Sequence, residues 1–198
     1  MSPGKFSYYK LYKPYGMLSQ FSEQAGRKTL KELYTFSRDV YPVGRLDADS
    51  EGLLLLTNDT SLTDLLLNPV NKHKREYLVQ VEGTPGENDI EPLKKGIVLR
   101  GIKLKPADVK IIPEPLLPPR IPPIRYRKNV PESWLSITLT EGKNRQVRRM
   151  TAAIGFPTLR LVRVRIENIS LEGMKPGDVC VLSDSEINQL IKIKMAVQ

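Results

Sequence analysis

The stretch VGRLDADSEGLLLLTN, residues 43 to 58, constrains the fold more than any other, because an apolar run enters a tight acidic loop and leaves as a second apolar run. It reads as two strands joined by a turn. Three carboxylates, Asp47, Asp49 and Glu51, fall within five residues and are followed by Gly52. Counted from Asp47, an EF-hand calcium loop is matched at positions 1, 3 and 6, but position 12 is Asn58 where a bidentate glutamate belongs and position 9 is Leu55. No helix pair flanks the loop either. A solvated, capped turn accounts for Asp49, Ser50 and Glu51. Asp47 differs, because it directly follows Leu46 at the end of the first apolar run and has Arg45 beside it. An aspartate at a strand end in a basic cleft stays ionised by pairing with arginine, which suits a carboxylate nucleophile.

Charge narrows the partners. With 31 Lys and Arg against 22 Asp and Glu, the net charge is +9 and the pI about 9.6, which points to a polyanion. Nucleic acid leads and an anionic membrane surface is the rival. The terminal helix, carrying only Lys192 and Lys194, is a poor amphipathic basic helix for the latter. No apolar run approaches the roughly 20 residues that span a bilayer, and MSPGKFSYYK lacks the apolar core of a signal peptide, so a soluble, cytoplasmic protein is expected. At 198 residues the chain suits one domain, 1–198, as two lobes sharing a sheet. Cys180, in VCVL, is expected to be a buried structural thiol, and His73, among Lys72, Lys74 and Arg75, a surface residue. A metal site would have to be built almost wholly from carboxylates; neither a metal nor an organic cofactor is expected.

Taken in order, FSYYKLY and MLSQF around Pro14-Tyr15-Gly16 predict an opening hairpin, and the capping-box spacing of Thr29 and Glu32 a short helix ending near Phe36. Thr60 or Ser61 is expected to cap a helix through Leu67, with Asp64 in its first turn and Pro69 as its stop. EYLVQVEG predicts a strand with Tyr77, Val79 and Val81 on one face. GENDIEPLKKGI predicts a helix with Pro92 in its first turn, and IVL, IKL and DVKII predict three short strands. SWLSITLTEG is a strand, and Asn144 is expected to cap a helix RQVRRMTAAIG with a stripe of Val147, Met150 and Ile154. In TLRLVRVRI the alternation slips between Leu161 and Val162, which predicts a bulge there and arginines on both faces. Ser183 and Glu186 are expected to cap a last helix with Ile187, Leu190, Ile191 and Met195 facing inward.

Two further stretches bear on a polyanionic partner. Residues 113 to 131 hold seven prolines with Arg120, Arg125, Arg127 and Lys128 between them, which reads equally as a stiff surface connection or as a preformed arm against RNA. From Lys143 to Arg165 there are seven basic residues and no acidic one. A solvated face usually carries compensating carboxylates, so this run favours a phosphate-binding surface.

GRLDADSEGLLLLTND resembles the catalytic motif of the A family of ribosomal small-subunit pseudouridine synthases, in which the aspartate of GRLD is the nucleophile. Arg75-Glu76-Tyr77-Leu78-Val79 resembles the family's second motif, and EGKNRQVRRM with Leu161, Arg163 and Ile166 its third. KPYGMLSQF and LEGMKPGDV are also similar, so the resemblance runs along nearly the whole chain. QFSEQAGRKTLKEL, PPRIPPIRYRK, PESWL and GFPTLRLVR are similar to a large-subunit branch, which points to 23S ribosomal RNA. Another ribosomal RNA site is the second choice. Two departures from the family pattern are expected: a chain that opens at the catalytic hairpin is expected to lack an N-terminal S4 domain, and Ala48 stands where relatives often have arginine.

The resemblance implies an α+β fold, a mixed, mainly antiparallel bent sheet with flanking helices and a central basic cleft. It implies that Asp47 is the nucleophile, that Arg148 pairs with it, and that Tyr77 stacks on a flipped base. Leu161 would pack beneath the tyrosine and Arg45 fill the gap left by the nucleotide. Without an S4 domain, RNA binding would fall on the catalytic domain, including Lys143, Arg145, Arg149, Arg160 and Arg163. A monomer working on ribosomal RNA is the expected form. The alternative from another class is a ribosome-assembly protein that binds RNA without catalysis; retention of Asp47, Tyr77 and Arg148 together argues against it.

Overall fold

The computed structural model describes residues 6–24, 26–124 and 130–197, with side chains as far as Lys192. In chain order the elements are β1 (Tyr8–Lys13), β2 (Tyr41–Pro42), β3 (Glu51–Thr57), α1 (Thr60–Leu67), β4 (Arg75–Glu82), α2 (Glu87–Lys95), β5 (Val98–Leu99), β6 (Ile102–Lys103), β7 (Asp108–Ile112), β8 (Glu132–Leu139), α3 (Gln146–Ala153), β9 (Thr158–Ile166), β10 (Ile169–Ser170), β11 (Val179–Val181) and α4 (Asp184–Val197). The class is α+β. The chain divides into two compact units, the first from Met1–Asn71 with Glu167–Gln198 and the second from Lys72–Ile166.

In the first unit all seven residues of β3, EGLLLLT, are buried, as a continuous apolar run demands of a strand covered on both faces. β1 lies antiparallel between β3 and β11, and β2 pairs the far end of β3. Leu11, Leu54 and Leu56 pack with Met17, Leu30 and Val40, and Tyr9, Phe21, Leu33 and Phe36 close over them. β1 is tied to both helices of its unit. The Lys10 ammonium donates to Glu186 Oε1 on α4 at 2.7 Å, and the Tyr8 hydroxyl donates to Asp59 Oδ2 before α1 at 3.0 Å. Burial by itself pushes the Glu186 carboxyl up, but hydrogen bonds from Lys10 and Ser183, with the lysine charge, bring it below its ordinary value.

In the second unit β4 is central, antiparallel to β8 on one side and β9 on the other, with β7 beyond β8. Tyr77, Val79 and Val81 share the buried face with Leu135 and Ile137, and α2 packs on β7.

Several expectations are corrected. No opening hairpin forms, because β1 already has β3 and β11 on its two edges; MLSQF instead makes an isolated bridge from Leu18 to Thr29. The capping box at Thr29 and Glu32 is present, but it caps a single 3-10 turn, Leu30–Glu32. The strand before the acidic loop stops at Pro42, where Gly44 at φ 75° turns the chain away. Asp59 caps α1 in place of Thr60 or Ser61, its Oδ1 accepting from Leu62 N at 3.1 Å, and Asp64 lies beyond the first turn. Pro92 sits inside α2, past the first turn. Asn144 does not cap α3: Arg145 holds that place in a left-handed conformation, φ 51°, and Asn144 Oδ1 accepts from Arg149 instead.

β9 bulges at two places, neither between Leu161 and Val162. Glu76 and Tyr77 oppose Arg165 and Arg163, leaving Val164 extra, and Gln80 and Val81 oppose Arg160 and Thr158, leaving Leu159 extra. Cys180 is exposed, because β11 is a short edge strand with only β1 beside it in this unit. His73 is buried between exposed Lys72 and Lys74, since the local alternation turns it inward. Ser183 and Glu186 do form the cap of α4, but of its expected inward residues Ile191 is exposed. Met195, Arg125, Arg127 and Lys128 lie outside the described side chains. Among the described residues no helix is long and apolar enough to cross a membrane.

The Tyr8 phenol is pushed up to about 12, by burial first and then by its hydrogen bond to the Asp59 carboxylate and that group's charge. The protonated phenol therefore favours the folded state fully below its unfolded value of about 10, and the contribution is lost as pH rises through about 12. Absorbance titration of the tyrosines should show one late-ionising phenol that disappears in Tyr8→Phe, and that variant should lose about 1 kcal/mol in urea unfolding at neutral pH. An unchanged titration curve in Tyr8→Phe would contradict the assignment.

Candidate active site

In the first unit the acidic loop is held by the segment that follows β1. Ser19, itself buried, accepts from Leu46 N at 3.1 Å and donates to the Leu46 carbonyl at 2.8 Å. On the other side of the aspartate, Gly16 N donates to the Ala48 carbonyl at 2.7 Å. The backbone is thus gripped immediately before and immediately after Asp47. Ser50 N closes the turn onto the Asp47 carbonyl at 3.0 Å. Asp47 is half-buried in this turn and not at the end of a strand. The solvated turn expected of Asp49, Ser50 and Glu51 needs one amendment, because Glu51 and Ser50 are buried, with Glu51 opening β3. Arg45 is exposed on the same loop, its Nη2 3.4 Å from Gln20 Oε1.

In the second unit Tyr77 opposes Arg163 on β9 and Ile137 on β8, so all three lie on one face. Leu161 opposes Val79 and is Tyr77's diagonal neighbour on that face. The register therefore brings Tyr77, Leu161 and Arg163 together, with Arg163 only 4% exposed. Arg160 is on the opposite face, 6% exposed, and its guanidinium donates to the Pro118 carbonyl at 2.8 Å. It anchors the proline-rich segment to the sheet instead of standing on an open basic surface. That segment has no regular structure through Ile124. Arg148 is half-buried on α3, its Nη1 3.3 Å from the Thr158 carbonyl. Lys143, Arg145 and Arg149 are exposed at the start of α3.

Two residues that the motif reading passed over hold this loop. Glu141, buried, accepts through Oε1 from Gln146 Nε2 at 2.7 Å and from Lys105 N at 2.9 Å. Gln146 in turn accepts from Lys143 N at 2.9 Å, which pins the loop in front of α3, a helix without a side-chain cap. The sequence signal was the pair of polar residues, Glu141 and Gln146, bracketing the start of the basic run. Among the described residues no cluster of His, Cys, Asp or Glu could hold a metal ion.

These elements fall within a known class. Residues 7–153 match the family model of RNA pseudouridylate synthase, and the chain belongs to that family. It is similar to the ribosomal large subunit pseudouridine synthase E of Vibrio parahaemolyticus, 53% identical over 165 residues, 83% of this chain and 69% of that protein. The protein of the same name from Xanthomonas axonopodis pv. citri is 51% identical over 169 residues, 84% of this chain and 88% of the relative. A crystal structure of a pseudouridylate synthase superimposes with a TM-score of 0.78 at 27% identity, over 96% of this chain and 76% of that one, and the fold is the pseudouridine synthase fold.

The grip on residues 46 and 48 makes Ser19 a positioning residue for Asp47. Ser19→Ala leaves a buried backbone donor and acceptor of Leu46 without their partner, which should cost about 1–3 kcal/mol in chemical denaturation. Turnover at saturating RNA should fall while the Kd for RNA stays near wild type. Equal losses in turnover and affinity would show that Ser19 does not act through Asp47.

Proposed function

We propose that this protein isomerises one uridine to pseudouridine in 23S ribosomal RNA, as a cytoplasmic monomer using no metal or organic cofactor. Membership of the RNA pseudouridylate synthases and the likeness to large subunit synthases E support the reaction and the RNA. GRLDADSEGLLLLTND and EGKNRQVRRM support grouping it with the branch typified by the small-subunit synthases of type A. The observation that carries the mechanism is Asp47 itself: a half-buried carboxylate in a turn gripped on both sides.

The target uridine leaves its stack and its base lies on the Tyr77 face, where Leu161 and Arg163 flank the ring. Arg45 fills the position the nucleotide vacates. Asp47 attacks, at C1′ of the sugar or at C6 of the base, and the C1′–N1 bond breaks. The base turns over, C5 bonds to C1′, and the bond from Asp47 to the carbon it attacked breaks, which restores the free carboxylate. The proton on C5 is then lost and N1 takes one up, so the overall reaction is an isomerisation with no net change in atoms. Arg148 supplies the cation, and Tyr77 both stacks and takes part in proton removal. Lys143, Arg145 and Arg149 bind phosphates.

RNA carrying tritium at uridine C5 tests this directly. The wild-type protein should release tritium from a 23S transcript, and Asp47→Asn should cut release by roughly 10³-fold or more while binding RNA within about twofold of wild type. Full release by Asp47→Asn would sink the mechanism. RNA binding with no release by the wild-type protein would favour the non-catalytic assembly reading. Mapping pseudouridines in ribosomal RNA from cells lacking the protein identifies the uridine.

A further inference from the structure

The β5–β6 hairpin serves no purpose in the core of its unit. It is a sheet of its own, pairing Val98 with Lys103 and Leu99 with Ile102, and its tip, Arg100 and Gly101, takes left-handed conformations at φ 51° and 76°. Val98 and Ile102 are 59% and 56% exposed. Strands of two residues do not hold themselves together in water, so such a hairpin must be fixed at its base. Here the base is well fixed. Gly96, at φ 87°, brings its backbone so close to the Leu104 carbonyl that an added Cβ would stand 2.5 Å from that oxygen. Leu104 N donates to the Ile97 carbonyl at 3.0 Å, and Ala107 N to the Leu93 carbonyl at 3.1 Å.

The mounting has a direction. Lys105 N is bound by buried Glu141, the carboxylate that also holds Gln146 at the start of α3, and β5 packs against α3. The hairpin is therefore locked to the loop that presents Lys143, Arg145 and Arg149. Its charge also fits. From Lys94 to Lys105 there are five basic residues and no acidic one. Lys94 and Lys95 are ion-paired with Glu87 and Glu91. Arg100 and Lys103 are exposed and, among the described residues, have no hydrogen-bond or ion-pair partner.

We propose that the β5–β6 hairpin is a finger that grips the backbone of the RNA flanking the target uridine, with Arg100 and Lys103 on phosphates and Val98, which shares the face of Lys103, against ribose. The proposal rests on the RNA-isomerase reading above. Glu141 couples the finger to the α3 loop, so the two basic segments present phosphate contacts at a fixed spacing.

The test compares Arg100→Ala/Lys103→Ala with Lys94→Ala/Lys95→Ala, which removes the same charge from ion-paired positions. Binding to a 23S transcript is measured across salt concentrations. The finger variant should bind about tenfold more weakly near physiological salt, with a log–log salt slope shallower by about 1.4 to 1.8. The control should stay near the wild-type Kd. Equal Kd and slope for finger variant and wild type, or an equal loss in the control, overturns the finger. Tritium release by the wild-type protein is read on the same RNA, so failure of the isomerase reading registers there and failure of the finger only in Kd and slope.

Discussion

The hold of residues 16 to 19 on residues 46 to 48 is the constraint on which the first unit depends. Ser19 has one hydroxyl that both accepts and donates, and it satisfies both backbone groups of Leu46. Gly16 does the same for the carbonyl of Ala48. A loop carrying a half-buried carboxylate would otherwise bury unsatisfied backbone, and would let Asp47 wander by more than the nucleophilic role proposed for it tolerates. Rigid positioning of this kind is a property of strands and helices; here a turn acquires it by borrowing bonds from a segment about thirty residues earlier in the chain.

The same constraint explains why the chain after β1 is not a hairpin. Turn chemistry at Pro14-Tyr15-Gly16 is real and visible in the sequence, but a turn only reverses direction; it does not choose what the reversed chain pairs with. β1 has its partners in β3 and β11, contacts that no local pattern announces. Where local signals and burial coincide, the sequence was readable: β4, β8 and the α4 cap stand where alternation and capping chemistry put them. The GRLD aspartate, the motif tyrosine and the motif arginine were legible as residue types in a pattern. Their supports, Ser19, Glu141 and Gln146, were not, because each acts through a backbone group or a residue whose neighbourhood is set by the tertiary fold.

Charge was the least transparent signal. The acid-free run from Lys143 to Arg165 reads as one basic surface, yet its members do different work. Arg160 is buried and holds Pro118, and Arg165 donates from Nη2 to Glu76 Oε2 at 2.6 Å, while Lys143, Arg145 and Arg149 are exposed. Net charge and run length report how many cations there are, while burial and pairing set what each one does: Arg165 is exposed yet held by Glu76, and the Lys143 ammonium lies 3.8 Å from Glu141 Oε2. By the same test Arg100 and Lys103, unremarkable in the sequence, are exposed and uncompensated.

The two bulges of β9 sort its arginines. In an unbroken strand Leu161, Arg163 and Arg165 would share a face, and two guanidinium groups would crowd the tyrosine. The extra residue Val164 carries Arg165 over to the side of Glu76, which neutralises it, and leaves Arg163 alone opposite Tyr77. Leu159 makes the matching correction at the other end, so that Thr158 returns to the Val81 side while Arg160 faces Gln80 and reaches Pro118. Each bulge gives up ladder pairing for one residue, a cost that a strand serving only the core has no reason to bear. One cation kept beside an aromatic ring, and the rest moved to other tasks, is the arrangement that the proposed stacking of a flat, uncharged base on Tyr77 would use, with no second arginine drawn into its place.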